Sequence, residues 1–281
     1  MYICACRGRF GMQVRVLVLM LVPCVFLILT LDLPHVRLVT APGKWVPPMP
    51  LPSVVTRSGR RMPALPPVRL GPPAPPPVEL RGQVTMQTSF GQELHRIAGL
   101  PHVHLVLEIG TWYGGGSSWC IAQGLRGRSN AWLITLEMFE EAWAYAAQTL
   151  SQLPVTCMRA GTVGPDLYLK PEQMTEEERG SEHYRLYYER DLELAGRTTP
   201  MLQTLCRTYD FDFILIDGNE YTGLPEFEIV NRWCRPRYLA LHDTGTLKTR
   251  RVEEILQQSP DWAKISGGAD AAGWAVYEAA H

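Results

Sequence analysis

The sequence predicts an α/β protein built on a doubly wound, mostly parallel sheet. Three observations predict it. From about residue 87 onward, short aliphatic runs alternate with helical stretches, which implies right-handed strand–helix–strand crossovers. The runs are apolar at nearly every position, as parallel strands covered on both faces are. Glycines or acids stand directly after the runs, where ligands of open α/β sheets bind.

Taken in order, residues 104–109 (HLVLEI) read as the first buried strand and 116–123 as the helix after it. Residues 131–136 (AWLITL) form a second strand, and 140–150 (EEAWAYAAQTL) a helix with acids in its first turn, where they complement the helix dipole. A weaker strand follows at 155–158. Residues 211–216 (FDFILI) are the clearest strand, then come a helix over 227–233, a strand over 237–241 (RYLAL), a helix over 249–258 and a last strand over 273–277 (GWAVY). Between 165 and 197 the alternation breaks. EQMTEEER and SEHYRLYYERDLEL predict an acidic, tyrosine-rich helical insertion that is either a solvated surface or a lid. Tyr184, Tyr187 and Tyr188 fit a simple amphipathic face as well as a sugar or aromatic acceptor.

The front of the chain is different in kind. The 281 residues carry a formal net charge of −1, but this near-neutrality is a cancellation. Residues 1–33 are +2, residues 34–82 are +6 and residues 83–281 are −9. A uniformly basic nucleic-acid binder and a fully disordered chain are both excluded. Residues 16–31 (VLVLMLVPCVFLILTL) are uncharged and follow Arg7, Arg9 and Arg15. Three readings fit this run: a signal-anchor membrane helix within residues 1–33 with a cytoplasmic N-terminus, a cleaved signal peptide, or an organelle transit signal. The first predicts a single-pass type II membrane protein facing the endoplasmic reticulum or Golgi lumen, the second a secreted one. Fourteen of 23 prolines lie between Pro34 and Pro77, so 34–82 reads as a basic, disordered, extended stem. The globular domain then covers 83–281. Cys120, Cys157, Cys206 and Cys234 show no paired CxxC spacing and read as small buried hydrophobes.

Three strand ends carry chemistry. The first is Glu108-Ile-Gly110-Thr-Trp-Tyr-Gly114-Gly115-Gly116-Ser117-Ser118. It lacks the Lys-Ser/Thr of a phosphate loop and does not fit G-x-G-x-x-G. A carboxylate beside a glycine turn suits a cationic, hydroxyl-bearing ligand better than a pyrophosphate. The second is Glu137, placed to hold a ribose diol or to start the following helix. The third is Asp217-Gly218-Asn219-Glu220, with His242-Asp243 at the next strand end. Asp217 and Asp243 would share a proton or a hard cation such as Mg²⁺. His242 is either a base near neutral pH or a hydrogen-bonded strand-end histidine.

EIGTWYGGGSS, LEMFEE, FDFILIDGNEYTGLPEFEIV and YLALHDTGTLKTRRVEEIL, in this order, resemble the class I S-adenosylmethionine-dependent methyltransferases. The resemblance is to the subgroup of macrocin O-methyltransferase and the cephalosporin hydroxylase-like proteins, and it covers roughly residues 100–281. It implies a Rossmann-like sheet of seven strands and S-adenosylmethionine as cofactor. It further implies cofactor contacts from Glu108, Gly110, Thr111, Gly114, Gly116, Ser117, Glu137 and Asp217. Asp217, His242 and Asp243 would then be the catalytic residues at the acceptor end, with Asp217 and Asp243 also holding a divalent cation. Two positions depart from the family pattern: Asn219 and Glu220 stand where relatives often have Asp-His, and Arg159-Ala-Gly161-Thr162 offers no acid for the adenine. The expected reaction is methyl transfer to a hydroxyl of a small molecule or glycan, with no nucleic acid as partner. A nucleotide-sugar or dinucleotide oxidoreductase and a membrane-tethered scaffold without turnover are the alternatives.

Overall fold

Apolar strands lay out the core. The computed structural model describes residues 82–280 and three strands before them, β1 (Ile3–Arg7), β2 (Gln13–Leu21) and β3 (Cys24–Leu29). The chain divides into two units, Met1–Pro48 and Met49–His281. In the first, β1, β2 and β3 pair antiparallel in one sheet. This differs from the anchor helix expected over 16–31. An unbroken aliphatic run carries no period that separates helix from strand. Val, Ile and Phe fit strands well, and Pro23, which has no N–H to donate, falls between two of them. Among the described residues no helix is long and apolar enough to cross a membrane. Apart from Gly82, the stem expected over 34–82 lies outside the described residues.

The second unit opens with α1 (Ser89–Ala98), capped by Thr88, whose hydroxyl accepts from Gly91 N at 3.1 Å. The elements then alternate: β4 (Leu105–Ile109), α2 (Ser117–Leu125), β5 (Trp132–Glu137), α3 (Glu140–Thr149) and β6 (Val155–Arg159). The insertion contributes α4 (Glu176–Gly180) and α5 (Glu182–Arg197), and α6 (Leu202–Thr208) follows. The second half runs β7 (Phe213–Ile216), α7 (Gly223–Ile229), a π-helical turn at Val230–Cys234, β8 (Tyr238–His242), α8 (Arg250–Gln258), β9 (Trp262–Gly268) and β10 (Trp274–Ala279).

Strands β6-β5-β4-β7-β8-β10-β9 form one seven-stranded sheet, parallel except for β10, which is antiparallel to both neighbours. This is the doubly wound, Rossmann-like architecture that the sequence predicts. Strand alternation divides the core in two. Leu105, Leu107 and Ile109 face α6, α7 and α8, where Leu205, Phe227, Val252 and Leu256 are buried with them. Val106, Phe213 and Leu215 face α1 and α2 and pack on Phe90, Leu94, Ile97 and Ile121. The first half of the sheet grows outward from β4 to β6 and the second from β7, so the switch point lies between β4 and β7. Ligands of such sheets bind just beyond the strand carboxyl ends at this point.

Cys206 of α6 and Cys234 of the π-helical turn form a disulfide, with Cα atoms 4.4 Å apart. This corrects the reading of these two as plain buried hydrophobes. A separation of 28 residues carries no local pattern from which the pairing could be read. Cys120 and Cys157 are buried and free, as expected.

Candidate functional site

The carboxyl ends of β4, β5, β7 and β8 open into one cavity of about 560 Å³. That volume lies within the ordinary range for a small-molecule site. Gly110, Thr111, Gly116, Ser117, Glu137, Asp217, His242 and Asp243 all line it. Glu108 and Gly114 do not, although the resemblance places both against the cofactor.

Glu108 is fully buried and shares a sheet face with Val106, beneath the N-terminus of α2. Its carboxylate accepts from Ser117 Oγ at 2.6 Å, Ser118 Oγ at 2.5 Å and Thr135 Oγ1 at 2.7 Å. These two serines are the first two residues of α2, so an internal carboxyl group already occupies the helix end that a pyrophosphate would need. Glu108 still reaches the cavity indirectly. Thr135 gives its only proton to the Glu108 carboxylate, so in the 2.5 Å contact between Thr111 Oγ1 and Thr135 Oγ1 the donor is Thr111. Thr111 thereby turns its lone pairs toward the cavity and presents an acceptor, which suits an ammonium group.

Gly114 serves packing instead. It has φ +76°, and a Cβ there would lie 2.9 Å from Ala146 Cα of α3. Trp112 also has positive φ, +52°, a costly conformation for a bulky residue. Its N–H donates to Glu137 Oε2 at 2.8 Å, while Phe139 N donates to Oε1 at 2.9 Å. Glu137 thus fixes the turn after β4, which neither sequence reading foresaw, and lines the cavity at the end of β5.

At the other end, Asp217 and Asp243 converge as the sequence predicts, but on a residue it did not single out. Lys248 Nζ lies 3.0 Å from Asp217 Oδ1 and 2.6 Å from Asp243 Oδ2. His242 Nδ1 sits 2.9 Å from Asp217 Oδ1 and stacks on Phe90 with ring centroids 5.4 Å apart. Its Nε2 is buried without a hydrogen-bond partner among the described residues. Burial disfavours the Asp217 carboxylate, but Lys248 and His242 outweigh it and hold its pKa below the usual value. Burial likewise opposes the His242 imidazolium, and Asp217 and Asp243 outweigh that and raise its pKa.

Sequence reading also missed the acids toward the insertion. Glu226 of α7 is 1% exposed and lines the cavity. Its Oε1 accepts from Thr162 Oγ1 at 2.5 Å and Thr222 Oγ1 at 2.8 Å, and its Oε2 has no partner. Asp191 of α5 is 4% exposed, with Arg190 Nε 3.6 Å from Oδ1. The insertion therefore reaches the site: His183, Tyr187, Arg190 and Asp191 line the cavity. Tyr184 and Tyr188 instead pack against Tyr221. One face of α5 thus forms part of the cavity wall, and another packs on Tyr221.

Burial pushes Glu108, Glu137 and Glu226 each up to about 7, against the hydroxyl and backbone donors that favour their charged forms. A carboxyl raised in the folded state stabilises the fold below its unfolded value, and that stability is lost as pH rises through the folded value. Lowering the pH from about 8 to about 6 is therefore expected to raise the urea midpoint, with Glu226→Gln flattening the slope. A midpoint that falls over this window would show that these carboxyls are charged in the fold.

No family model matches the chain, and no curated protein matches it. Among solved structures it is similar to an O-methyltransferase from Bacillus cereus in complex with SAH, at 16% identity and a TM-score of 0.45 over 72% of this chain and 85% of that one. A methyltransferase from Geobacter sulfurreducens gives 14% identity and 0.45 over 70% and 81%. An SAH-bound methyltransferase from Podospora anserina gives 13% and 0.45 over 68% and 78%.

Proposed function

We propose that the protein is an S-adenosylmethionine-dependent methyltransferase acting on a hydroxyl oxygen of a small molecule or saccharide. One observation carries this reading: a cavity at the sheet's switch point whose walls offer acceptors at the ends of β4, β5 and β7, Thr111 Oγ1, Glu137 and Asp217, while the α2 terminus is already taken by Glu108. Acceptor walls fit a cationic, hydroxyl-bearing cofactor and disfavour a dinucleotide. The orphan Oε2 of buried Glu226 supports the fit, because it offers an acceptor for an exocyclic amine where the run 159–162 has no acid. When bound, the cofactor supplies an electrophilic methyl group to an in-line nucleophile. The chain's own part is mostly positioning. Glu137 and Thr111 hold one end, and Asp217 sets negative charge between the two ends. His242, oriented by Asp217 through Nδ1, is the base assigned to the hydroxyl proton. Asp217 and Asp243 orient it.

A lumenal placement, either membrane-tethered or secreted, belongs to the same proposal. The Cys206–Cys234 disulfide supports it, because such bonds persist in oxidising compartments.

Isothermal titration of the purified protein with S-adenosylmethionine tests the function. Wild type is expected to bind and Glu137→Ala to bind at least about tenfold more weakly, which corresponds to about 1.4 kcal/mol. Tight binding of NAD with no binding of S-adenosylmethionine would overturn the reading.

A further inference from the structure

The resemblance implies a divalent cation on Asp217 and Asp243, yet the residues present do not fit one. Both carboxylates already face N–H donors. Asp217 Oδ1 takes Lys248 Nζ and His242 Nδ1, and Asp243 Oδ2 takes Lys248 Nζ with His242 Nδ1 at 3.5 Å. A hard cation would have to displace the ammonium from both oxygens and find several further oxygen ligands. Asn219 Oδ1 and Glu220 Oε2 beside them are already committed to other donors. Asn219 Oδ1 accepts from Tyr221 N and Thr222 Oγ1, and its Nδ2 donates to Tyr168. Glu220 Oε2 accepts from Thr246 Oγ1 and from Lys248 N, each at 3.0 Å.

The lysine is also locked in place. Glu220 binds its backbone N–H. Thr249 Oγ1 ties the loop back to His242 O at 2.6 Å, and Gly223 packs so closely that a Cβ would meet Lys248 O at 1.8 Å. Its side chain is 13% exposed, so its charge needs the two carboxylates as partners. Glu220, one of the positions where this chain departs from the family pattern, thus helps to fix the loop delivering the ammonium.

We propose that Lys248 is the built-in cation of this site, standing where a divalent ion would sit, so that the chain binds no metal at Asp217 and Asp243. The inference rests on the methyltransferase reading only for its role in catalysis. There, Lys248 is a positioning residue that keeps Asp217 and Asp243 apart from one another's charge and keeps Asp217 on His242 Nδ1.

Manganese titration, followed by the paramagnetic resonance of free Mn²⁺, tests it on the full chain after dialysis against EDTA. Wild type is expected to leave the free signal undiminished at millimolar Mn²⁺. Lys248→Met and Lys248→Gln free the two carboxylate oxygens that the ammonium holds and are expected to bind one Mn²⁺ at least about tenfold more tightly than wild type. Stoichiometric Mn²⁺ binding by wild type overturns the proposal, and so does the failure of folded variants to gain binding. Should neither variant fold, the wild-type titration decides alone. S-adenosylmethionine titrated in the same EDTA buffer separates the two readings. Absence of cofactor binding there refutes the methyltransferase function and leaves the manganese result standing.

Discussion

Gly110→Ala is expected to destabilise the second unit by about 4 kcal/mol and to abolish cofactor binding. Two costs combine. Gly110 has φ +89°, and an L side chain forced into such a conformation costs about 1–3 kcal/mol. A Cβ there would lie 2.2 Å from Asp217 O, 2.8 Å from Asp217 C and 2.9 Å from Gly218 Cα. All three are backbone atoms, and overpacking of this kind costs a further ~1–3 kcal/mol. The ends of β4 and β7 must separate, and these two strands frame the switch point. Two other glycines isolate the terms. Gly127 has φ +81° with nothing within 4 Å of a Cβ, so Gly127→Ala reports strain alone. Gly115 has open space and no positive φ, so Gly115→Ala is expected to be neutral. Urea midpoints of the three variants should rank Gly110 well below Gly127, and Gly127 below Gly115. Equal midpoints for Gly110→Ala and Gly115→Ala would remove the close approach of β4 and β7 as an explanation of this glycine.

The interior strands were readable because burial on both faces leaves almost no polar position: LVLEI, apart from Glu108, and FILI are apolar and buried throughout. β9, by contrast, is an edge strand exposed along most of WAKISGG and ending in two glycines, so it shows neither an apolar run nor an alternation. At the site, the acids after strands were visible as residue types, but their directions were not. Glu108 alternates onto the face under α2, and only the placement of Ser117, Ser118 and Thr135 around it shows that its lone pairs are already used. Lys248 was hidden for a different reason. In GTLKTRR it reads as one cation of a solvated basic stretch, and its partners arrive from two separate strand ends. Sequence neighbours carry no trace of such a meeting.

Removing the disulfide is expected to have the other large effect, and its size follows from chain entropy. The bond closes a separation of 28 residues, for which loop closure in the unfolded chain is worth about 3.5 kcal/mol. In a domain of this size that corresponds to a fall in Tm of about 10 °C. The loop contains β7, Asp217 and α7, so the bond ties the helices that cover one face of the sheet to the strand carrying the site. Cys206 and Cys234 are 4% and 9% exposed, so a reductant should act slowly unless the protein first opens. Calorimetry of the Cys206→Ala/Cys234→Ala variant against wild type checks the magnitude. Peptide mapping without reduction checks the pairing. A variant that melts within about 2 °C of wild type would show that the bond adds no constraint. It would also remove the physical reason for placing this domain in an oxidising lumen. A loss near 10 °C would mean that the domain keeps its full stability only where the bond can form and persist, which couples the compartment proposed for the protein to the integrity of its site.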